Sequence, residues 1–159
     1  MDIKIISSEN RNQINEFIMS HWFSTDMVVR GEIVDMRLID GFVMYDNEEI
    51  IGLVTYRVKA SECEIMSLDS LMERQGIGTV LLNKVIEVAR GENCSKVKII
   101  TTNDNINALG FYQQRGFDMV NLYHNALNDS RKLKPSIPLV GDFGIPLMHE
   151  IEFEMNLDK

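Results

Sequence analysis

The spacing of apolar residues changes several times along the chain, and each spacing predicts a different element. Alternation over Asp2 to Ile6 predicts a short strand. Helical spacing over about Ser8 to His21 predicts a first helix, whose recurring apolar residues are Ile14, Phe17, Ile18 and Trp22. Between Phe23 and Leu38 the pattern fits a helix or a strand, so the sequence leaves this segment open.

Three β-rich runs follow, separated by short stretches of turn residues. They cover Phe42 to Tyr45, Glu49 to Val58 and Glu62 to Leu71, with turns at Asp46-Asn47 and at Lys59 to Ser61. Short turns of this kind join antiparallel neighbours. The middle of the chain is therefore predicted to form an antiparallel meander.

Helical and β-rich segments alternate after the meander. Helices are predicted over Gly76 to Arg90 and Asn105 to Arg115, and strands over Val97 to Thr101, Phe117 to His124 and Glu150 to Asn156. A strand, helix, strand passage places its two strands parallel, joined by a right-handed crossover. The fold class predicted is α+β, with a mixed, mostly antiparallel sheet of about seven strands, flanked by helices and containing one parallel pair.

The segment from Asn125 to Leu147 has no clear period and is predicted to be an irregular loop. It contains all three prolines of the chain. Long loops inside a compact domain often carry function, and prolines stiffen the backbone. We therefore expect this loop to have a functional role.

The composition is that of one globular domain spanning residues 1–159. Apolar residues make up 45% and charged residues 25%, and 24 acidic against 16 basic side chains give a net charge of −8. Basic residues are scattered except for Arg131 to Lys134. A nucleic-acid surface needs clustered Lys and Arg, so no nucleic-acid partner is expected.

No segment is typical of a membrane span or a signal peptide. We therefore expect no membrane partner and a cytoplasmic location. The two cysteines, Cys63 and Cys94, are expected to stay free thiols there. They have no paired His or Cys nearby, so no zinc or other metal site is expected.

The sharpest chemical feature is Gly76-Ile77-Gly78 at the start of a predicted helix. The first N–H groups of a helix have no intrahelical partners, and the helix dipole is positive there. Glycines leave the backbone open to an anion, and Arg74 beside the turn adds a positive charge. The pattern favours a phosphate or diphosphate site, although a tight turn that packs the helix on the sheet explains the same glycines.

A second feature runs from Asn103 to Phe117, where Asn105 is placed to cap a helix and Tyr112 follows two turns later. Tyr112 is either a functional residue or an ordinary core residue. Together the two segments resemble the GNAT superfamily of N-acetyltransferases, of the small bacterial type. The resemblance extends over about Met1 to His124, and its motifs are Arg74-Gln75-Gly76-Ile77-Gly78-Thr79 and Asn105-x-x-Ala108-x-x-Phe111-Tyr112-x-x-x-Gly116-Phe117.

The first motif departs from the family at Glu73, where Gln or Arg is usual. The resemblance implies that acetyl-CoA binds in a gap between two splayed parallel strands, beside a bulge near Ser67 to Ser70. It implies direct attack of an amine on the thioester, with the Leu68 N–H stabilising the oxyanion and Tyr112 protonating the thiolate. The implied cofactor-binding residues are Leu68, Ser70, Arg74, Gln75, Gly76, Ile77, Gly78, Thr79, Asn105 and Tyr112.

The sequence does not decide which residue is the general base. The resemblance favours Glu64, on the strand that leads into the bulge, and the alternatives are Asp69 and His124. The acceptor is expected to be a small-molecule or peptide amine. The resemblance implies that residues 22–37 and 125–148 shape the acceptor side of the site. The negative net charge favours a cationic acceptor.

Two other functions fit the same residues. A non-catalytic acyl-CoA sensor would use the same glycine motif without turnover, because a fold does not fix a function. A structural domain would bind no cofactor at all. A homodimer through the late strands is compatible with the sequence, which contains no feature that decides it.

Overall fold

The computed structural model describes residues 1–72 and 76–158, which form four α-helices and nine β-strands. The helices are α1 (Arg11–Trp22), α2 (Ile77–Gly91), α3 (Ile106–Gln114) and α4 (Ala126–Leu133). The strands are β1 (Asp2–Ile5), β2 (Asp26–Val29), β3 (Glu32–Asp35), β4 (Asp40–Asp46), β5 (Glu49–Lys59), β6 (Glu62–Ser70), β7 (Lys96–Thr102), β8 (Asp118–Tyr123) and β9 (Glu150–Asn156).

Seven of the strands form one sheet in the order β1-β4-β5-β6-β7-β9-β8. Its pairs are antiparallel except for β6 and β7, which are parallel and joined through α2. This confirms the predicted α+β class, the mostly antiparallel sheet and the parallel pair. The segment that the sequence left open contains the separate hairpin β2–β3, which turns at Arg30 and Gly31, both with positive φ.

The two faces of the sheet carry two apolar cores. On one face α2 buries a stripe that includes Leu81 and Val85 against strands β4 to β7. On the other face α1 buries Ile14, Phe17 and Ile18. The alternation of side chains along a strand divides the central strands β4, β5 and β6 between these two cores.

A bulge at Met66 changes the course of β6. Thr55 of β5 pairs with Ser67 and the next residue, Tyr56, pairs with Ile65, so Met66 is the extra residue. The bulge therefore lies one residue before the predicted Ser67 to Ser70 stretch. Bulges bend a strand and re-aim its groups.

The parallel strands separate at this bulge. β6 pairs with β7 only over residues 62–65 and 96–99, whereas β6 stays paired with β5 as far as Ser70. In the described part of the chain, no strand pairs with the β7 side of residues 67–70. That edge can offer backbone groups to a ligand.

The prediction that Asn125 to Leu147 is irregular throughout was wrong at its start, which is helix α4. This helix has only eight residues, too few for a clear apolar period, and tertiary contacts hold it. Leu127 packs with Leu147 and donates its N–H to the Met148 carbonyl at 3.0 Å. Farther along, the loop is tied down by the Arg131 guanidinium, which donates to the carbonyls of Pro138 and Leu147.

Candidate active site

A cavity of about 600 Å³ lies between the free end of β6, the start of α2 and helix α3. It brings together eight of the predicted cofactor-binding residues: Leu68, Ser70, Gly76, Ile77, Gly78, Thr79, Asn105 and Tyr112. Arg74 and Gln75, also predicted there, lie outside the described residues. Segments separated by dozens of positions thus converge on one opening.

The start of α2 presents bare backbone to this cavity. Gly76 caps the helix with a φ of 73°, in the left-handed region that favours glycine. The first bond back into the helix runs from the Val80 N–H to the Gly76 carbonyl, at 3.0 Å. The earlier N–H groups therefore remain available, as is usual at a helix start. Ile77 contributes only backbone, since its side chain is buried in the core.

Gly78 keeps the opening clear. A Cβ at this position would lie 3.3 Å from two ring atoms of Phe111, so any side chain would press on α3. The glycine therefore permits both the close approach of α2 to α3 and access of a ligand to the helix start. This arrangement fits an anion that contacts the backbone directly.

Arg115 also lines the cavity, and sequence reasoning missed it. Its Nε donates to Thr79 Oγ1 at 2.9 Å and its Nη1 to the Phe111 carbonyl at 3.0 Å. The guanidinium carbon lies 3.7 Å from the Phe111 ring centroid. These contacts fix a positive charge beside the helix start. Its place directly before the Gly116-Phe117 pair was the available sequence signal.

Tyr112 lies at the inner wall of the cavity and is 4% exposed. Its ring packs on Phe111, Phe117 and Phe153, with centroid distances of 5.2, 5.5 and 5.7 Å. Burial, and secondarily the charge of Asp69, hold the pKa of its hydroxyl well above the ordinary value. The phenol therefore remains protonated at neutral pH and can donate a proton.

Asn105 shapes the start of α3. Its Oδ1 accepts from the Ala108 N–H at 3.3 Å, as predicted for a helix cap, and its Nδ2 donates to Thr101 Oγ1 at 3.2 Å. These bonds join α3 to the end of β7. They hold the part of the cavity wall that carries Tyr112.

The three candidate bases occupy different places. Asp69 lines the cavity, whereas Glu64 and His124 do not. Glu64 accepts from Arg57 Nη2 at 3.2 Å, and the same guanidinium bonds Glu32 at 2.8 Å. His124 is exposed and stacks on His149 at 4.7 Å.

The carboxyl of Asp69 has a pKa well above the ordinary value for an aspartate. Burial raises its pKa to about 6, and the nearby Trp22 and His21 side chains at the end of α1 oppose part of that rise. Its Oδ2 atom is buried without a hydrogen-bond partner among the described residues. A carboxyl with these properties suits proton transfer near pH 7.

The comparisons with known proteins agree with this geometry. The family model of the acetyltransferase (GNAT) family matches residues 12–117, so the chain belongs to this family, as its two motifs predicted. The chain is 44% identical over 142 residues to YxbD of Bacillus subtilis (strain 168), covering 89% of each protein. It is 41% identical over 149 residues to YdhI of the same organism, covering 93% of each.

Among solved structures, the fold is similar to that of a GNAT family acetyltransferase from Elizabethkingia anophelis with acetyl-CoA bound. The TM-score is 0.71 at 20% sequence identity, covering 98% of this chain and 97% of that chain. This likeness confirms the fold.

The described residues show few other features that could bind a ligand or react. Cys63 and Cys94 are buried and unpaired, in line with the prediction of free thiols. Within residues 1–72 and 76–158, no three His, Cys, Asp or Glu side chains are arranged to hold a metal ion. No helix in the same ranges is both long and apolar enough to cross a bilayer.

Proposed function

We propose that the protein transfers the acetyl group of acetyl-CoA to a primary amine by direct attack in a ternary complex. The observation that carries the proposal is the single cavity in which the start of α2, the unpaired edge of β6 and Tyr112 meet. Family membership supports acetyl transfer in general. The cavity supports a particular assignment of roles.

The residues present fit acetyl-CoA. The N–H groups of Ile77, Gly78 and Thr79, together with the Arg115 charge, suit its diphosphate. The unpaired edge of residues 67–70 suits the amide-bearing pantetheine arm, because both sides offer backbone-like donors and acceptors. In this pose the thioester reaches the inner end of the cavity, near Leu68 and Tyr112.

The chain then has three roles in the transfer step. The Leu68 N–H donates to the carbonyl oxygen as negative charge develops on it. Asp69 takes a proton from the incoming ammonium, so that the free amine attacks the carbonyl carbon and the C–S bond breaks. The Tyr112 O–H gives a proton to the departing thiolate, and the extra proton on the nitrogen of the new amide is returned to the Tyr112 phenolate. Holding both substrates together supplies much of the remaining rate.

Blocking the helix start is expected to abolish tight donor binding. Replacing Gly78 with valine places branched carbon against Phe111 and over the bare amides. We expect the Kd for acetyl-CoA, measured by calorimetry, to rise at least about tenfold, equivalent to about 1.4 kcal/mol. The matched control is Gly110→Ala in α3, where an added Cβ meets no atom within 4 Å.

Release of free thiol from acetyl-CoA in the presence of primary amines tests the enzymatic part. Turnover with at least one amine supports the proposal. Binding without turnover on a broad amine panel would instead identify a sensor. Absence of heat with millimolar acetyl-CoA would contradict the proposal altogether.

A further inference from the structure

Arg115 lines the cavity and carries hydrogen-bond donors that its neighbours do not use. A guanidinium has five N–H groups. Among the described residues, Arg115 uses one on Nε toward Thr79 Oγ1 and one on Nη1 toward the Phe111 carbonyl. Both N–H groups of Nη2 and the second of Nη1 have no hydrogen-bond acceptor in those residues. Three donors can therefore serve a ligand in the cavity.

The charge of Arg115 also has no acidic partner in the ranges 1–72 and 76–158. Arg37 and Arg57, by contrast, form ion pairs with Asp35 and with two glutamates. Arg115 is the one positively charged side chain among the described residues that line the cavity. The chain as a whole has a net charge of −8, which repels an anion at long range. A fixed local cation offsets that repulsion inside the cavity.

The guanidinium is held in place before any ligand binds. Its two hydrogen bonds join the first turn of α2 to the last turn of α3, and its plane lies on the Phe111 ring with 3.7 Å between the guanidinium carbon and the ring centroid. A side chain that is already ordered loses little conformational freedom on binding. The planar fork of arginine also matches two oxygens of one phosphate group. The unused donors are therefore suited to a phosphate.

Arg115 lies at the outer part of the cavity. Tyr112 at the inner wall is 4% exposed, whereas Arg115 is half-buried. The guanidinium meets α2 at Thr79, the third residue of that helix. In the proposed function the thioester lies near Tyr112 and the diphosphate lies at the start of α2. The next group along CoA, on the side away from the thioester, is a ribose with a 3′-phosphate. This group comes within reach of Arg115.

We propose that Arg115 binds the ribose 3′-phosphate of CoA and so selects a donor that carries this group. This inference rests on the proposed acetyltransferase function. The backbone N–H groups of residues 77–79 hold the diphosphate, and the unused donors of Arg115 form a bidentate pair with the 3′-phosphate. The two anionic parts of CoA are thus held by different groups of the chain.

The test measures the Kd values of CoA and of dephospho-CoA, which lacks only the 3′-phosphate, by calorimetry at one fixed ionic strength. For the wild type we expect the Kd of dephospho-CoA to be at least about tenfold higher, equivalent to about 1.4 kcal/mol. The Arg115→Gln variant should bind CoA at least about tenfold more weakly and dephospho-CoA nearly as well as the wild type does. Its ratio of the two Kd values should therefore approach one.

Two further variants serve as controls. Arg90→Gln removes the same charge from the exposed last turn of α2, outside the cavity, and should keep the wild-type ratio. Arg115→Lys keeps the charge and loses the planar fork, so its ratio should lie between those of the wild type and Arg115→Gln. Dephospho-CoA itself reports folding, because a misfolded variant would lose both ligands and its circular dichroism spectrum.

The outcomes separate this inference from the proposed function. Equal Kd values for the two ligands in the wild type would overturn the 3′-phosphate site and leave acetyl transfer standing. Loss of the same factor for both ligands in a folded Arg115→Gln variant would also overturn it, since the side chain would then act on the diphosphate alone. If neither ligand bound to the wild type, the proposed function and this inference would both be wrong.

Discussion

Replacing Tyr112 with phenylalanine is expected to lower kcat by about 10²–10⁴-fold, the range typical of losing a general acid. Phenylalanine retains the ring that packs on Phe111, Phe117 and Phe153, so the fold and the cavity wall should persist. The thiolate would then leave without a proton donor. The Kd for acetyl-CoA should change little, because the helix start and the β6 edge are untouched.

The matched control for this substitution is Tyr45→Phe. Tyr45 also has a buried ring, but its hydroxyl donates to Gln13 at 3.0 Å, on the α1 side of the sheet and away from the cavity. Steady-state kinetics should therefore leave kcat of Tyr45→Phe near the wild-type value. If Tyr112→Phe turned over as fast as the wild type, Tyr112 would be a structural aromatic residue and another proton donor would be needed.

Replacing Asp69 with asparagine is expected to remove the acidic limb of the pH–rate profile. Burial raises the carboxyl pKa from 3.8 to about 6, and only the ionised form can accept a proton. Wild-type kcat/KM should therefore rise with pH up to about 6 and level off above it. The asparagine variant should be slower by about 10²-fold or more on the plateau, since it lacks the base.

The sign of the stability change separates this effect from unfolding. A raised carboxyl pKa means that the folded state holds its proton at pH values where the unfolded chain has lost it. The contribution of Asp69 to stability is thus fully present below the unfolded pKa and is lost as pH rises through about 6. At pH 8 the asparagine variant should therefore be at least as stable as the wild type in urea unfolding. If the acidic limb of the pH–rate profile near pH 6 persisted in the Asp69→Asn variant, that limb would belong to another group.

Elements with a clear period were predictable from the sequence. The change of period from β6 to α2 and back to β7 fixed a crossover, and the crossover required the parallel pair that the sheet contains. The bulge was placed within one residue. The parallel pair follows from local patterning, which a single sequence displays directly, whereas the bulge was implied by the family resemblance of the two motifs.

Two elements depend on tertiary contacts, and the spacing of apolar residues did not predict them. Helix α4 is short and polar and is held by Leu147 and by the Met148 carbonyl, far along the chain. The β2–β3 hairpin has strands of only four residues each, too short to distinguish a period of two from one of 3.6. Neither segment forms its structure from propensity alone.

The same distinction decides which residues of the candidate site could be predicted from the sequence. Gly76 to Thr79, Asn105 and Tyr112 were predictable because two motifs contain them. Arg115 could be recognised as a site residue only from its contact with Thr79, which is distant in sequence. The sequence could also not choose between Glu64 and Asp69, since burial and the Arg57 pairing of Glu64 appear only in three dimensions.

The most direct test of the central claim is a titration of the ¹⁵N-labelled protein with CoA, followed through its backbone amide resonances. Pantetheine, which lacks the diphosphate, is the matched ligand. The account predicts that the amides of Ile77, Gly78 and Thr79 shift strongly and saturate with CoA, and that pantetheine leaves them nearly unmoved while still shifting residues of the β6 edge. Saturable CoA binding that left these three amides unchanged would contradict it.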